Sequence, residues 1–419
     1  MASTSRENTQ IGRAGRNSAS PGDRASRRPF AAAAFALVVL LTGTNVPTPL
    51  YPVYERVFGF PPLVVTLVFA LYAIVLIPSL LVFGPLSDAI GRRRVLIPAV
   101  GTAIVGSALL AAASGTGWLF AARAVQGLAL GAVQATATAA LVETEPTHDV
   151  PRAALAGSLA TTGGTAAGPL LGGLLAQYAP HPRVLPYLVE IALLGVALLA
   201  LRRWLPADTG RGRRWRLRRP AVPGPVRRTF IVAGLSAFLA WAVTALFLAQ
   251  MPSYLSSLLH TDNLALAGGL VALMLGASTL AQPLLRRLPS LGAQSAGLAL
   301  LIAGLGGIIA AAQTGLIAIV LAATVLAGFG QGLSFGGALA EINAIAPADR
   351  KAELLSAGYV VIYLGVALPI VGVGFLALPI GLLAAVQIFA CIVAAAAAVG
   401  LIVQLVDRRR PGRLDPVRT

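Results

Sequence analysis

Carboxylates are scarce in this sequence, so the position of each one is informative. The chain has 15 acidic residues against 32 basic ones, and of the acids only Glu190 lies well inside an apolar stretch. Removal from water favours the neutral form of a carboxyl group, so a buried glutamate can take up and release protons. The other interpretation of Glu190 is structural, as the fixed partner of a buried cation. The sequence leaves both interpretations open.

Arg123 is the cation that Glu190 can meet. Both lie about five residues, or about 8 Å, below the ends of their apolar stretches on the same side of the membrane. Arg123 also shares a helix face with Gln126 and Gln134, because a helix turns by about 100° per residue. An arginine within a membrane is costly and usually functional, so we expect this polar stripe to face protein or water. The alternative is that the arginine side chain snorkels outward past Trp118.

The sequence does not predict a metal site, a disulfide or an enzyme active site. His148, His181 and His260 fall in separate predicted loops, and Cys391 stands alone inside an apolar stretch. A metal site needs several such ligands close together, and a disulfide needs a second cysteine. An enzyme embedded in the membrane would likewise require a concentrated set of acids, histidines or metal ligands. We therefore expect no metal, no cofactor and no enzymatic activity.

The composition indicates what kind of element carries these residues. Hydrophobic residues make up 57% of the 419 positions and charged residues only 11%, and the mean hydropathy is +0.81. Soluble domains carry about a quarter of charged residues, and a soluble fold of this size cannot bury so much apolar surface. The 45 glycines suit helices that pack closely in lipid. The lipid bilayer is therefore the expected environment.

The net charge of +17 raises the question of nucleic-acid binding. The basic residues lie mainly in short stretches between apolar segments, as membrane topology requires. Aromatic residues do not interleave with them, as they would on a surface that stacks bases. We therefore expect no nucleic-acid partner.

Twelve apolar segments of roughly 20 residues can be placed, and this length crosses about 30 Å of hydrocarbon. The sequence therefore predicts an all-α polytopic membrane protein with about twelve transmembrane helices. The predicted segments are 31–51, 63–83, 95–114, 118–140, 155–178, 185–201, 229–251, 264–285, 292–312, 316–338, 354–376 and 381–405.

The distribution of basic residues predicts the orientation. If the amino terminus is cytoplasmic, the tails and the even-numbered connections hold 29 of the 32 basic residues. The outer loops then hold Arg56 and Arg183, and Arg123 lies within a span. Basic loops resist translocation, so we expect both termini in the cytoplasm and a multi-pass protein of the plasma or inner cell membrane.

Composition also divides the chain. Residues 1–29 are polar and rich in Ser and Arg, which predicts a disordered cytoplasmic tail. Residues 202–228 contain ten arginines with Pro and Gly and no apolar period, which predicts a basic cytoplasmic linker. The linker separates a first six-helix bundle at 30–201 from a second at 229–405, and 406–419 form a cytoplasmic tail.

The two predicted bundles share sequence features in the same order, which is typical of a duplicated transporter fold. Of the twelve segments, the fourth and fifth with their connection share these features with the tenth and eleventh and their connection. Gln126, Gly127 and Gly131 recur as Gln331, Gly332 and Gly336, Arg152, Ala153 and Leu155 as Lys351, Ala352 and Leu354, and Pro169 and Gly172 as Pro369 and Gly372.

The connection after the second segment carries the most specific motif. It contains Gly84, Asp88, Gly91, Arg92 and Arg93. Glycines allow a short connection to turn tightly between antiparallel helices, and the aspartate and arginine are opposite charges at the membrane surface that can exchange partners. A positive anchor would explain the arginines but not an acid between two glycines.

This motif resembles the signature loop between helices two and three of the major facilitator superfamily. The resemblance covers nearly the whole chain from about Phe30. Arg123, Gln126 and Gly127 are similar to a second pattern of the family, an Arg followed three residues later by Gln-Gly. The resemblance implies two pseudo-symmetric six-helix bundles around a central cavity that opens alternately to each side. It also places the sixth helix, with Glu190, at the periphery, which favours a structural role as much as proton carriage.

The fifth segment contains Gly164, Gly168, Pro169, Gly172 and Gly173. Glycines four residues apart make a flat helix face, and proline removes a backbone donor, so the helix can bend against a neighbour. The set resembles the motif that accompanies exporters of the family, particularly drug:proton antiporters. A generic packing face of small residues is the alternative.

The first segment departs from many such antiporters, because it has no acid. It offers Asn45 as a polar contact, and Pro47 and Pro49 indicate an irregular helix end. At the end of the tenth segment, Glu341 and the following Arg350 resemble the family's acid-and-base connection before helix eleven. Their mirrored counterparts near Glu143 favour a gate on the inner face over isolated surface ion pairs.

The sequence thus predicts a secondary active transporter, acting by proton-coupled efflux of a small, largely apolar compound. A small-molecule substrate and protons are the expected partners, and we expect a monomer. An uptake symporter for a sugar or organic acid would need more polar residues in the cavity than these helices supply. A membrane sensor that does not transport is the alternative from another class.

Overall fold

The computed structural model describes residues 21–207, 215, 220–285, 287–347 and 350–408. Within these ranges the regular structure is helical, with two short 3-10 turns at Thr48–Leu50 and Gly224–Val226. The α-helices are α1 (Pro21–Asn45), α2 (Tyr51–Phe58), α3 (Pro62–Ile90), α4 (Arg92–Ala111), α5 (Thr116–Thr144), α6 (Val150–Tyr178), α7 (Leu185–Trp204), α8 (Arg227–Ala249), α9 (Met251–Leu259), α10 (Leu264–Leu285), α11 (Ser290–Thr314), α12 (Ile317–Ala344), α13 (Lys351–Ile380) and α14 (Leu382–Arg408).

Every predicted segment has a long helix, so the prediction of an all-α polytopic membrane protein is confirmed. The short helices α2 and α9 prolong the first and seventh segments. Among the described residues, eleven helical stretches are long and apolar enough to cross a membrane. Helix α6, which is rich in Gly and Thr, is not one of the eleven. At 29 residues, α6 is nevertheless longer than a bilayer requires.

Antiparallel order places alternate connections at the same end of the bundle. We call the end that carries Gly91 and the connection between α7 and α8 the basic end, and the other the opposite end. We call the helices α1 to α7 the first half and α8 to α14 the second half.

Helix α3 runs further than the sequence predicted. The second segment was expected to end at 83, with a connection from Gly84 to the arginines, but α3 continues to Ile90 and Gly91 alone separates it from α4. Gly91 has φ of +105°, a region that strongly favours glycine. The prediction of a longer loop was therefore wrong, because one glycine with positive φ reverses the chain and the preceding residues remain helical.

The first helix of each half breaks near the opposite end. Pro47 and Pro49 lie between α1 and α2, and Gln250 separates α8 from α9, with Pro252 in the first turn of α9. Proline lacks the backbone N–H that an unbroken helix requires. The breaks redirect the chain, so α2 and α9 extend both spans toward the opposite end, and α2 packs against α9.

The predicted tails lie largely, and the predicted linker partly, outside the described residues. Helix α1 begins at Pro21, nine residues before the predicted boundary at 30. A proline is well suited to a first helical turn, and hydropathy alone does not mark a polar extension of a helix. The residues 1–20, 208–214, 216–219 and 409–419 are not described. The division into two bundles at 202–228 stays a prediction.

The predicted repeat has a counterpart in helix packing. Gly127 of α5 lies against α3, where an added Cβ would come 2.5 Å from the carbonyl oxygen of Tyr72. Gly332 of α12 lies against α10, where an added Cβ would overlap the carbonyl of Ser278. In each half, the fourth long helix therefore approaches the second at the Gln-Gly pair, because glycine leaves room for the neighbouring backbone.

The two halves contact each other mainly along two helix pairs. Helix α6 packs on α10, and α3 packs on α13. Gly374 of α13 faces α3, where an added Cβ would collide with the Thr66 side chain. These pairs determine how close the halves lie.

We predict that Gly127→Leu destabilises the fold. The new side chain would meet the α3 backbone, and overpacking of this kind lowers the free energy of unfolding by about 1–3 kcal/mol. The purified protein in detergent should unfold at a temperature several degrees lower. Gly101→Leu is the matched control, because nothing lies within 4 Å of a Cβ at Gly101. Equal thermal stability of the two variants would contradict the packing role.

Candidate functional site

Arg123 of α5 is buried in the first half, with 1% of its surface exposed. Its Nη1 donates to the carbonyl oxygen of Thr44 at 2.6 Å and to Oε1 of Gln126 at 2.9 Å. The guanidinium carbon lies 4.3 Å from the ring centroid of Tyr72 and 5.5 Å from that of Phe69. A desolvated cation over an aromatic ring gains about 2 kcal/mol. Arg123 therefore faces protein, and the alternative of outward snorkelling is wrong.

The contact with Thr44 follows from the break after α1. In an unbroken helix the carbonyl of Thr44 would accept from the N–H of Thr48, four residues on. Helix α1 instead ends at Asn45, and Thr48 begins the 3-10 turn Thr48–Leu50. Within a membrane a freed carbonyl needs another donor, and Arg123 supplies it. Arg123 thus ties α5 to the broken end of α1.

Glu190 of α7 is also buried, with 2% of its surface exposed. Its Oε1 accepts from Ser107 Oγ of α4 at 2.5 Å. The carboxyl group lies against Gly43 of α1, where an added Cβ would overlap it. Glu190 therefore contacts α1 and α4 and does not form the direct ion pair with Arg123 that their similar predicted depth made possible. Glu190 Oε2 and Arg123 Nε are both buried without a hydrogen-bond partner in the described part of the chain.

The remaining predicted pathway residues do not join this cluster. Gln134 points toward α6 and donates to Thr161 Oγ1 at 3.5 Å. Asn45 donates to a backbone carbonyl of α1 at 2.8 Å. In the second half, Gln331 accepts from Ser278 Oγ at 2.5 Å, across the contact of α12 with α10. The stripe predicted on α5 is thus divided, because Arg123 contacts α1 and Gln134 contacts α6.

Four aromatic residues of the second half form a group that the sequence analysis missed. Trp241 of α8 lies 5.5 Å from Phe335 of α12, with the rings nearly perpendicular, and 6.5 Å from Tyr363 of α13. Tyr359 lies one turn before Tyr363, and all four side chains are half-buried. A cavity between α8, α12 and α13 is lined by Phe335, Tyr359 and apolar side chains. The spacing of four residues on α13 was the signal available in the sequence.

The glycine motif of α6 lies against α1. An added Cβ at Gly164 or Gly168 would overlap a backbone carbonyl of α1, and one at Gly172 would overlap the carbonyl of Val46, just after α1; the three contacts are each about one turn apart. Only glycine permits backbones to approach so closely. The flat face predicted from the spacing is therefore the contact of α6 with the first span.

The same motif also contacts the second half. An added Cβ at Gly173 would come 2.5 Å from the carbonyl oxygen of Leu264, and one at Gly268 of α10 would collide with the carbonyl of Pro169. Helix α6 thus holds α1 on one side and α10 on the other. Gly372 of α13 is the sequence counterpart of Gly172. No atom lies within 4 Å of an added Cβ at Gly372, so the repeat does not extend to this packing contact.

At the basic end, Arg92 joins three helices. Its Nη1 donates to Ser87 Oγ at 2.5 Å, and its Nη2 lies 2.5 Å from Asp88 Oδ1. Its Nε and Nη2 also donate to the two carboxylate oxygens of Glu143 at 3.3 and 3.0 Å. A bidentate pair of this kind fixes geometry as well as charge. Asp88 and Arg92 therefore pair within the first half, at the junction of α3, α4 and α5.

Two further residues of this motif have structural contacts. Gly84 lies inside α3 rather than in a loop, and an added Cβ would stand 3.3 Å from that of Ala135. Arg93 donates to the carbonyl oxygen of Arg202 at 2.6 Å, which connects α4 to the end of α7.

The acid near the end of α12 makes a contact similar to that of Glu143. Glu341 accepts a hydrogen bond from Ser290 at the start of α11, as Glu143 accepts from Arg92 at the start of α4. Arg350 precedes α13 as its N-cap residue, and residues 348–349 are not described. The gate predicted for Asp88, Glu341 and Arg350 stays a prediction.

Glu145 orders the connection between α5 and α6. It accepts from the backbone N–H groups of Thr147 and Asp149 at 2.7 and 2.8 Å, and Arg152 Nε lies 3.7 Å away. Burial raises the pKa of this carboxyl group, but the hydrogen bonds outweigh that effect and hold the pKa below its usual value. Glu145 thus remains ionised near neutral pH and holds the loop.

Polar contacts join the two halves at the opposite end. One is an exposed ion pair, and three are hydrogen bonds at the contacts of α2 with α9, α3 with α8, and α6 with α10. They are Arg56 Nη1 with Asp262 Oδ1 at 2.9 Å, Ser253 Oγ to Glu55 Oε2 at 2.9 Å, Gln250 Nε2 to the Pro62 carbonyl at 3.4 Å, and the Leu264 N–H to Gln177 Oε1 at 2.7 Å.

Nearer the basic end, Ser158 Oγ of α6 donates to Gln282 Oε1 of α10 at 3.0 Å. The ion pair and hydrogen bonds between the halves thus lie mainly at the opposite end. Sequence analysis missed Glu55, because the first predicted segment ended at 51 and left this residue in a loop.

The fold and these motifs agree with one family. The sequence model described as Major Facilitator Superfamily matches residues 33–370. This chain belongs to the Major Facilitator Superfamily. It is therefore an MFS transporter, which confirms the family resemblance and the prediction that the protein is not an enzyme.

Curated relatives match over shorter stretches. A puromycin resistance protein of Streptomyces alboniger is 36% identical over 188 residues, which cover 44% of this chain and 36% of that protein. An uncharacterised MFS-type transporter of Mycobacterium tuberculosis is 34% identical over 153 residues, covering 36% of this chain and 22% of that one. The matched stretches thus span about a fifth to a third of the length of these relatives.

Solved structures match over nearly the whole chain. One is a bacterial homologue of the human lysosomal transporter Spinster in an inward-facing, unoccupied conformation, with a TM-score of 0.69 and 16% identity over 93% of this chain and 99% of that one. Another is the nucleoside transporter NupG carrying a D323A substitution, with a TM-score of 0.69 and 11% identity over 90% of this chain and 99% of that one. At these identities the likeness establishes the fold.

We predict that Gly168→Val separates α6 from α1. The valine side chain would meet Asn45 and the backbone of α1. The free energy of unfolding should fall by about 1–3 kcal/mol. Thermal unfolding of the purified transporter should shift to lower temperature. Gly163→Val on the same helix is the control, because nothing lies within 4 Å of a Cβ there. A Gly168 variant as stable as the Gly163 variant would show that the contact is unimportant.

Proposed function

We propose that this MFS transporter exports a small, largely apolar compound in exchange for protons by alternating access. The observation that carries the proposal is the position of α6, whose glycine face lies directly on α1 and on α10 of the other half. A helix held this closely by both halves seals the path between them at one end. Bulk at the same face would leave a leak, so a motif of this kind suits a transporter that works against a gradient.

The chemistry of the central helices supports an apolar substrate. Trp241, Phe335, Tyr359 and Tyr363 offer aromatic surface beside a cavity with an apolar lining. Aromatic groups bury apolar ligands well and contribute beyond their buried area when rings stack. A sugar would instead require several hydrogen-bonding side chains in the same place.

The names of two relatives agree with export. One relative is named a puromycin resistance protein. Another is named an MFS efflux transporter, from Aspergillus oryzae, and is 33% identical over 120 residues, covering 28% of this chain and 21% of that one. Both are matched over part of their length, so the extension of efflux to this chain is part of the proposal.

The proposed orientation follows from charge. The basic end carries most of the arginines, including Arg92, Arg93 and Arg94. We assign this end to the cytoplasm of the cell membrane, with both termini on the same side. The opposite end, where polar contacts join the halves, is then outside, and the structure corresponds to a state closed to the outside.

Glu190 is the proposed coupling residue of the membrane interior. It touches α1 through Gly43 and α4 through Ser107, and one carboxyl oxygen has no partner among the described residues. Any shift of α1 against α7 would change the surroundings of this carboxyl group. Its proton occupancy is therefore linked in the proposal to the movement of the broken first span.

Export is tested in proteoliposomes with an acidic lumen. Puromycin, with ethidium as a second probe, should accumulate inside as protons leave, and a protonophore should abolish the effect. Protein-free liposomes control for passive trapping of weak bases. Accumulation that equals the protein-free control for both probes, with no substrate-induced proton flux, would count against proton-coupled export.

Glu190→Gln tests the coupling role. If Glu190 carries the proton, the variant should lose accumulation driven by the pH gradient and retain downhill exchange of substrate, because the neutral amide preserves the hydrogen bond from Ser107. Asp262→Asn, which removes an exposed carboxylate, is the control and should accumulate normally. Full response of the Glu190 variant to the pH gradient would eliminate this residue as the carrier.

A further inference from the structure

Glu55 is half-buried, and its carboxyl group lies at the contact between the halves. It belongs to α2, the short helix that extends the first span beyond its break. Its Oε2 accepts from Ser253 Oγ of α9 at 2.9 Å. Its Oε1 is buried and has no hydrogen-bond partner among the described residues. The carboxyl group is thus held between one helix of each half.

Nearby charges do little to stabilise the ionised form of the Glu55 carboxyl group. Arg56 follows it in the chain, but its guanidinium pairs with Asp262 at 2.9 Å, and these side chains are 57% and 71% exposed. Three of the elements packed against α2 carry no charge near the contact. Helix α9 and the turn Thr48–Leu50 have no charged residue, and the first on α3 is Asp88 at the far end. The exposed His260 lies at the end of α9. Tyr54 of α2 also contacts α7, and Arg183, just before α7, acts on Tyr54 electrostatically.

Each short helix is fixed to its own half. Tyr54 of α2 shares a hydrogen bond with Tyr187 of α7 at 2.8 Å, and Tyr254 of α9 donates to the carbonyl of Ile308 in α11 at 3.2 Å. Both tyrosines follow a proline by two residues, at equivalent positions after the breaks. Separation of the halves at this end must therefore break the contact of Glu55 with α9.

The closed contact favours the protonated form of Glu55. An ionised carboxylate accepts up to about four hydrogen bonds, and here the one provided comes from a neutral hydroxyl. A buried charge satisfied so poorly is costly, whereas a neutral carboxylic acid is not. Once the helices separate, water solvates the carboxylate and removes this cost.

We infer that Glu55 is a proton-binding site that latches α2 to α9. Closure of the opposite end takes up a proton from the solution on that side, and opening returns it. We call the contact of Glu55 with Ser253 the α2–α9 latch. The latch differs from Glu190, because its proton enters and leaves at the same end. The inference rests on the alternating-access part of the proposed function, and it adds a pH-dependent gate to that function.

The latch is tested by distance measurement on the full chain in lipid nanodiscs without substrate. Cys391, the single cysteine, is replaced by serine, and spin labels are attached to Val57→Cys and Ser257→Cys, at exposed positions of α2 and α9. Low pH should favour the short distance. The ratio of open to closed molecules should rise with pH by up to about tenfold per unit, the limit for one linked proton. In Glu55→Gln the latch should stay closed from about pH 5 to pH 9.

Two controls separate Glu55 from its neighbours. His260→Asn keeps a residue that tolerates positive φ and removes the nearby imidazole, and Asp262→Asn removes the exposed ion pair. Both should retain the pH response. A distance that is independent of pH in the parent protein, or a pH response that survives in Glu55→Gln or disappears in His260→Asn, would overturn the inference. Because no transport is measured, these outcomes are independent of whether puromycin is exported.

Discussion

The first span of this transporter cannot run as one straight helix, and the way its break is satisfied shapes the first half. Pro47 and Pro49 remove two backbone donors, and lipid offers no water to replace them. Arg123 donates to the carbonyl of Thr44 at the break and is itself stacked on Tyr72. A cation that would be costly in the membrane is thus placed where the backbone requires a donor.

The same break accounts for the neighbours of the first span. The glycines of α6 lie on its backbone, and the carboxyl group of Glu190 occupies the space left by Gly43. Beyond the break, α2 carries Glu55 to the second half. The first span therefore contacts the glycine face of α6 and the carboxyl group of Glu190, and its extension α2 carries Glu55 to the second half. A movement of this span would change all of these contacts.

The two halves share helix order but not chemistry. The Gln-Gly pairs at Gln126 and Gln331 lie at equivalent helix crossings. The first half encloses Arg123 and Glu190, whereas the second half has aromatic rings around Trp241. The two halves thus share a frame of helices, and the first half places a buried cation and a buried carboxyl group inside it.

The sequence by itself determined the helical membrane fold, because about 20 apolar residues in a row have few other stable structures in lipid. It also determined the family motifs and the flat face of α6, since glycine spacing is a local property. Only the tertiary structure decided which partners the buried charges have. Arg123 and Glu190 were predicted to lie at similar depth, but they contact α1 from different helices, because depth along a helix does not specify the direction of a side chain. Glu55 was placed in a loop by hydropathy, since a break at proline and the extension beyond it depend on contacts with the other half.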